Sequence, residues 1–324
     1  LFSDWDADHL GGLTLRAGKI LVPFLSYNEN KPSFKQVLMS QPFTASHIVP
    51  VIPSPTDFEG LGWSDIGATV NWYKEFGDVG IFDLKVGVIQ GIGSEAEDSS
   101  GNAVLDANSV ALSTGPTVRP RDGLIQNEQQ WGHDNNSEAA FVTKVSYLST
   151  RIPLDVGISW YGGTWDNDGN KDLEMIGLHA NYITRDWTLK AEWVEADVEQ
   201  TAGTNLYSGI GPASVNTSTG DYSMNAWFIE GSYIPLRYGV KEDRYVRLIG
   251  RFDEVDTNDK AAFTPFDKER MTYGLEWQFC PNARLRYEWQ FHTIHDFDRR
   301  PGPFYAAGGR KEIEMQMISL IFWY

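Results

Sequence analysis

The sequence predicts an all-β fold, a transmembrane antiparallel up-and-down β-barrel with at least 12 strands. Three observations predict it: side chains alternate with period 2, the alternating runs are long, and the connections between them alternate between short and long. The alternation is clearest in Arg284-Leu285-Arg286-Tyr287-Glu288-Trp289-Gln290-Phe291-His292, where Leu285, Tyr287, Trp289 and Phe291 share one face and the polar residues share the other. Just before it, Met271, Tyr273, Leu275, Trp277 and Phe279 alternate with Thr272, Gly274, Glu276 and Gln278. Only Cys280, Pro281 and Asn282 separate the two runs, so they read as one tight hairpin. A helix, with its period of 3.6, would not sort these residues.

In chain order, the same pattern places strands near 13–24, 65–76, 81–93, 137–150, 154–165, 173–184, 187–198, 224–235, 244–255, 269–280, 283–294 and 312–324. Each run has about a dozen residues, twice the usual soluble strand of about five or six. Twelve residues at roughly 3.3 Å each extend about 40 Å. Tilted by about 40°, such a strand rises about 30 Å and crosses an apolar band about 25 Å tall. Short connections at 77–80, 151–153, 185–186, 236–243 and 281–282 alternate with longer ones at 25–64, 94–136, 166–172, 199–223, 256–268 and 295–311. Short turns at one rim and long loops at the other are the asymmetry of an outer-membrane barrel. The order lets the strand at 13–24 and the strand at 312–324 close the sheet antiparallel, and residues 1–324 read as a single barrel domain.

Composition agrees. Of 324 residues, 17 Phe, 12 Trp and 14 Tyr give 13% aromatics. No apolar stretch approaches the roughly 18 residues of a membrane-spanning helix. The net charge of −17 makes the chain a poor counterion for nucleic acid. Cys280 is the single cysteine, which excludes an intrachain disulfide and any CxxC site. The chain opens at Leu1 with no charged n-region or apolar h-region, so any export signal is expected to be cleaved or to lie outside this sequence.

If the aromatic rows face lipid, the lumen is lined by Arg16, Lys85, Lys144, Lys190, Arg247, Arg251, Arg284 and Arg286, opposed by Asp83, Glu138, Asp155, Glu192, Glu230, Asp253, Glu276 and Glu288. A one-residue slip would move eight cations into hydrocarbon. At about 2–4 kcal/mol each at the midplane, the cost is on the order of 16–32 kcal/mol, more than a domain's whole stability of about 5–15 kcal/mol. The register is therefore fixed. The lumen charges balance, so the excess acid lies in loops and rims. In 94–136, Glu95, Glu97, Asp98, Asp106, Asp122, Glu128 and Asp134 oppose Arg119 and Arg121. This loop is either an acidic vestibule favouring cations or a solvated loop kept soluble by charge. The lumen charges themselves either set up a transverse field or pair across neighbouring strands. The 25–64 connection, with Pro32, Pro42, Pro50, Pro53, Pro55 and the apolar Val37-Leu38-Met39, is too long for a passive turn. It either folds inward and narrows the pore or mediates subunit contact.

Two motifs carry a family resemblance. The segment Arg16-Ala17-Gly18-Lys19-Ile20-Leu21-Val22-Pro23-Phe24 resembles the R-x-G-K-hydrophobic-x-V-P-F strand of outer-membrane porins of the phosphate-selective (O/P) type. The order of a Pro-containing loop, Ile66-Gly67-Ala68 and Val88-Ile89-Gln90-Gly91 is similar over residues 13–91. The ending Met317-Ile318-Ser319-Leu320-Ile321-Phe322-Trp323-Tyr324 resembles the aromatic C-terminal signal of outer-membrane barrels. The resemblance implies a homotrimer of barrels with as many as 16 strands in the Gram-negative outer membrane, among lipid and lipopolysaccharide. It also implies ion or small polar solute transport, with no cofactor and no enzymatic chemistry. Phosphate selectivity would call for a Lys/Arg ladder without compensating acids, and the predicted lumen is balanced.

Other chemistry is weakly signalled. Asp166, Asp168, Asn170 and Asp172 have calcium-loop spacing, but Lys171 stands where an EF-hand needs Gly, and an Asn/Asp/Gly turn explains the segment. His292 and His295 point to opposite faces of a strand. No nucleophile elbow, phosphate loop or HExxH is present. The competing classes are a soluble Trp-rich β-sandwich that binds or cleaves carbohydrate, an outer-membrane lipase, and a barrel sheathing a partner protein such as an electron carrier.

Overall fold

The computed structural model describes residues 3–7, 12–29, 36–48, 63–92, 118–119, 124–125, 138–165, 169–199, 221–239, 243–256, 259, 268–294 and 311–322. One 13-stranded sheet dominates. Its strands are β1 (Ser3–Ala7), β2 (Leu13–Leu21), β3 (Ser64–Glu75), β4 (Gly80–Ile89), β7 (Ala140–Ser149), β8 (Leu154–Thr164) and β9 (Asp172–Ile183). They continue as β10 (Trp187–Val198), β11 (Tyr222–Tyr238), β12 (Arg244–Asp256), β13 (Lys268–Cys280), β14 (Ala283–Ile294) and β15 (Lys311–Phe322). The short strands β5 (Val118–Arg119) and β6 (Leu124–Ile125) pair only with each other. Each large-sheet strand pairs antiparallel with the next, which is up-and-down topology.

All twelve predicted strands are present; β1 was not anticipated. It alters the closure expected from sequence. β1 occupies the edge of β2 that β15 was expected to take. Both β1 and β15 run from the long-loop rim to the short-turn rim, so they are parallel to each other. Among the described residues no ladder joins the two edges.

At the short-turn rim, Gly77 adopts φ +55°, the left-handed region that a side chain resists. A Cβ there would touch nothing within 4 Å, so conformation rather than space calls for glycine.

The outward face is apolar and bare. Val86, Ile158, Leu178, Leu189, Ile229, Leu248, Tyr273, Leu275 and Trp277 are all exposed, Leu189 and Leu248 by half. Behind them Lys144, His179, Glu192, Glu230, Arg251, Glu276, Arg286 and Glu288 point inward and are buried. This is the inverse of a water-soluble protein, whose exposed apolar patches seldom exceed a few hundred Å². Such a surface belongs in lipid. The aromatic rows do not pack into a dry core, which removes the soluble sandwich. Among the described residues no helix is long and apolar enough to cross a membrane, and the strands do the crossing.

Towards the long-loop rim the polarity of the two faces inverts with no slip in register. On β10, Lys190 and Glu192 face inward below, whereas Val194, Ala196 and Val198 face inward above, backed by outward Glu195 and Asp197. β9 (inward Leu173 and Met175, outward Asp172 and Glu174) and β12 (inward Val255, outward Glu254 and Asp256) repeat the change. Outside, these strands rise above the apolar band. Inside, they meet residues 22–29 and 36–48, which fold back into the barrel. Val22, Phe24, Leu25, Phe43 and Ile48, with Trp63, join the inward apolar residues in one buried cluster. Trp63 meets Phe24 edge-on at 5.8 Å and Tyr161 at 5.2 Å. The upper interior is therefore packed rather than water-filled. Of the two roles expected for the 25–64 connection, its described parts take the inward one.

Candidate pore constriction

The inserted segment leaves β2 at Leu21, and its turn Ser26–Glu29 lies inside the sheet. A turn this short leaves its first amides without intrahelical acceptors. Glu192 on β10 supplies one: its Oε1 accepts from the amides of Ser26 at 2.9 Å and Tyr27 at 2.6 Å. Leu25 N–H donates to Ser159 Oγ at 3.0 Å, and Leu25 carbonyl accepts from Lys144 Nζ at 2.9 Å. Glu29 ion-pairs with both Lys85, at 2.5 Å, and Lys144. Desolvation alone would raise the Glu29 pKa, but the two ammonium groups outweigh it and hold this carboxyl below its ordinary value.

The second anchor lies across the barrel. Glu288 Oε2 accepts from the amides of Met39 at 2.7 Å and Ser40 at 3.2 Å, and its Oε1 from Ser40 Oγ. Arg251 donates to Ser40 carbonyl at 2.9 Å and to Gln41 carbonyl at 3.3 Å. Arg270 also donates to Gln41 carbonyl, and Arg286 to Gln36 carbonyl. Asp253 accepts from Phe43 N–H at 3.1 Å. Val37 and Leu38 pack on Ile249.

The charged residues also pair with one another, within β12 and across adjacent strands. Arg251 lies 2.8 Å from Asp253 and 3.5 Å from Glu230, and Arg270 lies 3.1 Å from Asp253. Glu276 gathers Arg286 at 2.7 Å, Arg284 at 3.1 Å and Arg247 at 3.2 Å. Lys190 approaches Glu230 at 3.8 Å. Neighbour pairing thus replaces the transverse field considered from sequence.

Every predicted lumen residue on a strand faces inward by register, but they fall into two groups. Lys144, Arg251, Arg284, Arg286, Glu192, Glu230, Asp253, Glu276 and Glu288 are buried. Arg16, Asp83, Lys85, Asp155, Lys190 and Arg247 keep solvent contact. Glu138 corrects the reading: it precedes β7 and is exposed rather than lying on a lumen strand. Arg270 was missed although its parity with Thr272 and Glu276 marks it inward, and Glu29 carried no periodic signal because it sits in a connection. On the short-turn side, a cavity of about 360 Å³ is lined by Glu29, Asn71, Tyr73, Asp83, Lys144 and Asp155, among others. A second, of about 190 Å³, shares Ser26 and Asp155 with it and reaches Lys190 and Glu192.

Of the calcium candidates, Asp166 and Asp168 lie outside the described residues, and Asp172 is exposed at the start of β9. Asn170 lies in the connection before it, and no group of three or more metal-ligating side chains occurs among the described residues. The acidic residues of 94–136 and the terminal Trp323 and Tyr324 also lie outside the described residues.

No protein-family model matches the chain, and no curated protein does. Among solved structures, the chain is similar to an anion-selective porin from Comamonas acidovorans (TM-score 0.49, 13% identity, covering 99% of this chain and 77% of that one). It is also similar to the outer membrane channel DcaP of Acinetobacter baumannii (TM-score 0.48, 11% identity, 96% and 73% covered). A third is OmpT, an outer membrane protein of Vibrio cholerae (TM-score 0.44, 9% identity, 96% and 76% covered).

Proposed function

We propose that the protein is a passive channel of the bacterial outer membrane for small polar solutes, narrowed by its own residues 22–29 and 36–48. The observation that carries this reading is the inverted sidedness, with exposed apolar residues outside and charged residues inside beside two cavities at the short-turn end. Function then follows from width and wall charge, with no covalent chemistry required of any residue. In this reading Arg16, Lys85, Lys190 and Arg247, with Asp83 and Asp155, line the solute path. Lys144, Arg251, Arg286, Glu192 and Glu288 set its width by holding the segment, and Glu230, Glu276 and Arg284 pair with wall charges behind them. Phosphate selectivity is the finer reading of the family resemblance, and the pairing of the wall cations with carboxylates does not favour it. A homotrimer in lipid and lipopolysaccharide is the assembly we propose.

Planar-bilayer recording of the refolded protein tests this. Discrete conductance steps are expected, with a small reversal potential in a salt gradient, on the cation side because the chain carries −17 overall. No conductance would overturn the channel, and strong anion selectivity would overturn the balanced wall.

A further inference from the structure

The interior charges hold the inserted segment by its backbone. Leu25 C=O and Ser26 N–H belong to one peptide unit; Lys144 takes the first and Glu192 the second. At Ser40, Glu288 takes the N–H while Arg251 takes the C=O. Among the described residues, five segment amides go to wall carboxylates and four segment carbonyls to wall cations. Charge-assisted bonds of this kind are roughly twice as strong as neutral ones. Because every peptide unit carries the same donor and acceptor, this mode of holding does not depend on which side chains the segment has. The Ser40 hydroxyl adds bonds to Glu288 and Arg251 and the Phe43 ring lies 4.3 Å from the Arg270 guanidinium, but the hydrogen bonds described for Met39, Gln41 and Phe43 are made by main-chain atoms.

We propose that this wall is a binding surface for short peptides, with the 36–45 stretch as a built-in competitor. The assignment rests on the channel reading and names its substrate class. Carboxylates accept the N–H groups of an entering peptide and guanidinium groups donate to its carbonyls. A solute of equal length that lacks amides meets neither.

The probes are N-acetyl-trialanine amide and tetraethylene glycol, added to the full chain and to a variant lacking residues 37–45. Current recording on the full chain should show peptide interruptions lasting at least ten times longer than those caused by the glycol. Glu288→Gln should shorten them at least fivefold. Calorimetry in detergent should show tighter peptide binding by the deletion variant, where the competitor is gone. Equal dwell times for both probes, or no heat of peptide binding in the deletion variant, would overturn the proposal. If no current flows but calorimetry registers the peptide, the channel reading fails and the peptide surface stands. If current flows and the peptide leaves no trace, the reverse holds.

Discussion

Lys85 and Lys144 stand directly opposite each other across the β4–β7 ladder, both facing the interior. Like charges in that position destabilise a sheet. Glu29 resolves the conflict by bridging both ammonium groups from the inserted turn. Wall and segment are therefore complementary: the sheet needs the segment's carboxylate as much as the segment needs an anchor. Glu29→Gln should lower stability in detergent by about 1–3 kcal/mol, less than a fully buried pair because Glu29 keeps some solvent contact. It should also widen the channel. The heat-modifiable gel transition and the single-channel conductance check both.

Acid should act through the same carboxyl. A depressed folded-state pKa means that Glu29 contributes stability above its unfolded value, near 4.3, and loses it as pH falls through the lower folded value. The contribution of Glu29 to the conductance is thus expected to stay constant from pH 7 to about 5 and to change only below about 4, where conductance rises. In Glu29→Gln that rise should vanish. An acid rise that persists unchanged in Glu29→Gln would contradict the assignment.

Arg251 is the most committed wall cation, 1% exposed and shared among Asp253, Glu230 and the Ser40 carbonyl. Arg251→Met strands buried carboxylates and should cost about 3 kcal/mol, near the low end for a broken buried pair because Arg270 still serves Asp253. Arg251→Lys keeps the charge but loses the planar fork and should recover less than half of that. Denaturant titration in micelles measures both changes.

Leu248 tests the lipid face. It lies on β12, half exposed on the outward side, between inward Arg247 and Ile249. Leu248→Arg should cost about 2–4 kcal/mol near mid-depth, whereas Tyr182→Arg, on the outward face near the short-turn end of β9, should cost about 0–1 kcal/mol. Refolding yields into vesicles compare the two. Equal costs would place the apolar band elsewhere.

The strands were legible because a period of 2 survives wherever one face meets lipid. Leu285, Tyr287, Trp289 and Phe291 alternate with Arg286, Glu288 and Gln290 for that reason alone. The filled interior was not legible. Val194, Ala196 and Val198 keep the alternation but reverse its meaning, since Val22, Phe24, Leu25, Phe43 and Ile48 solvate them with carbon. Nothing in the sequence around Glu29 or Ser40 announces a partner more than a hundred residues away. The closure expected of 13–24 with 312–324 failed on β1, whose five residues are too few to register as a run.

The inserted segment also bears on how the protein reaches its native state. Its contacts with the wall join residues 56 to 250 positions apart, from Glu29–Lys85 to Gln36–Arg286. Chain-entropy costs of that kind come due before any of the contacts form, which slows folding. A β-ribbon that rolled up first would have to admit Phe24, Phe43 and Trp63 through a rim already crowded with side chains. Assembly therefore favours curling the ribbon around residues 22–29 and 36–48, which act as a mandrel on which the cylinder is wound.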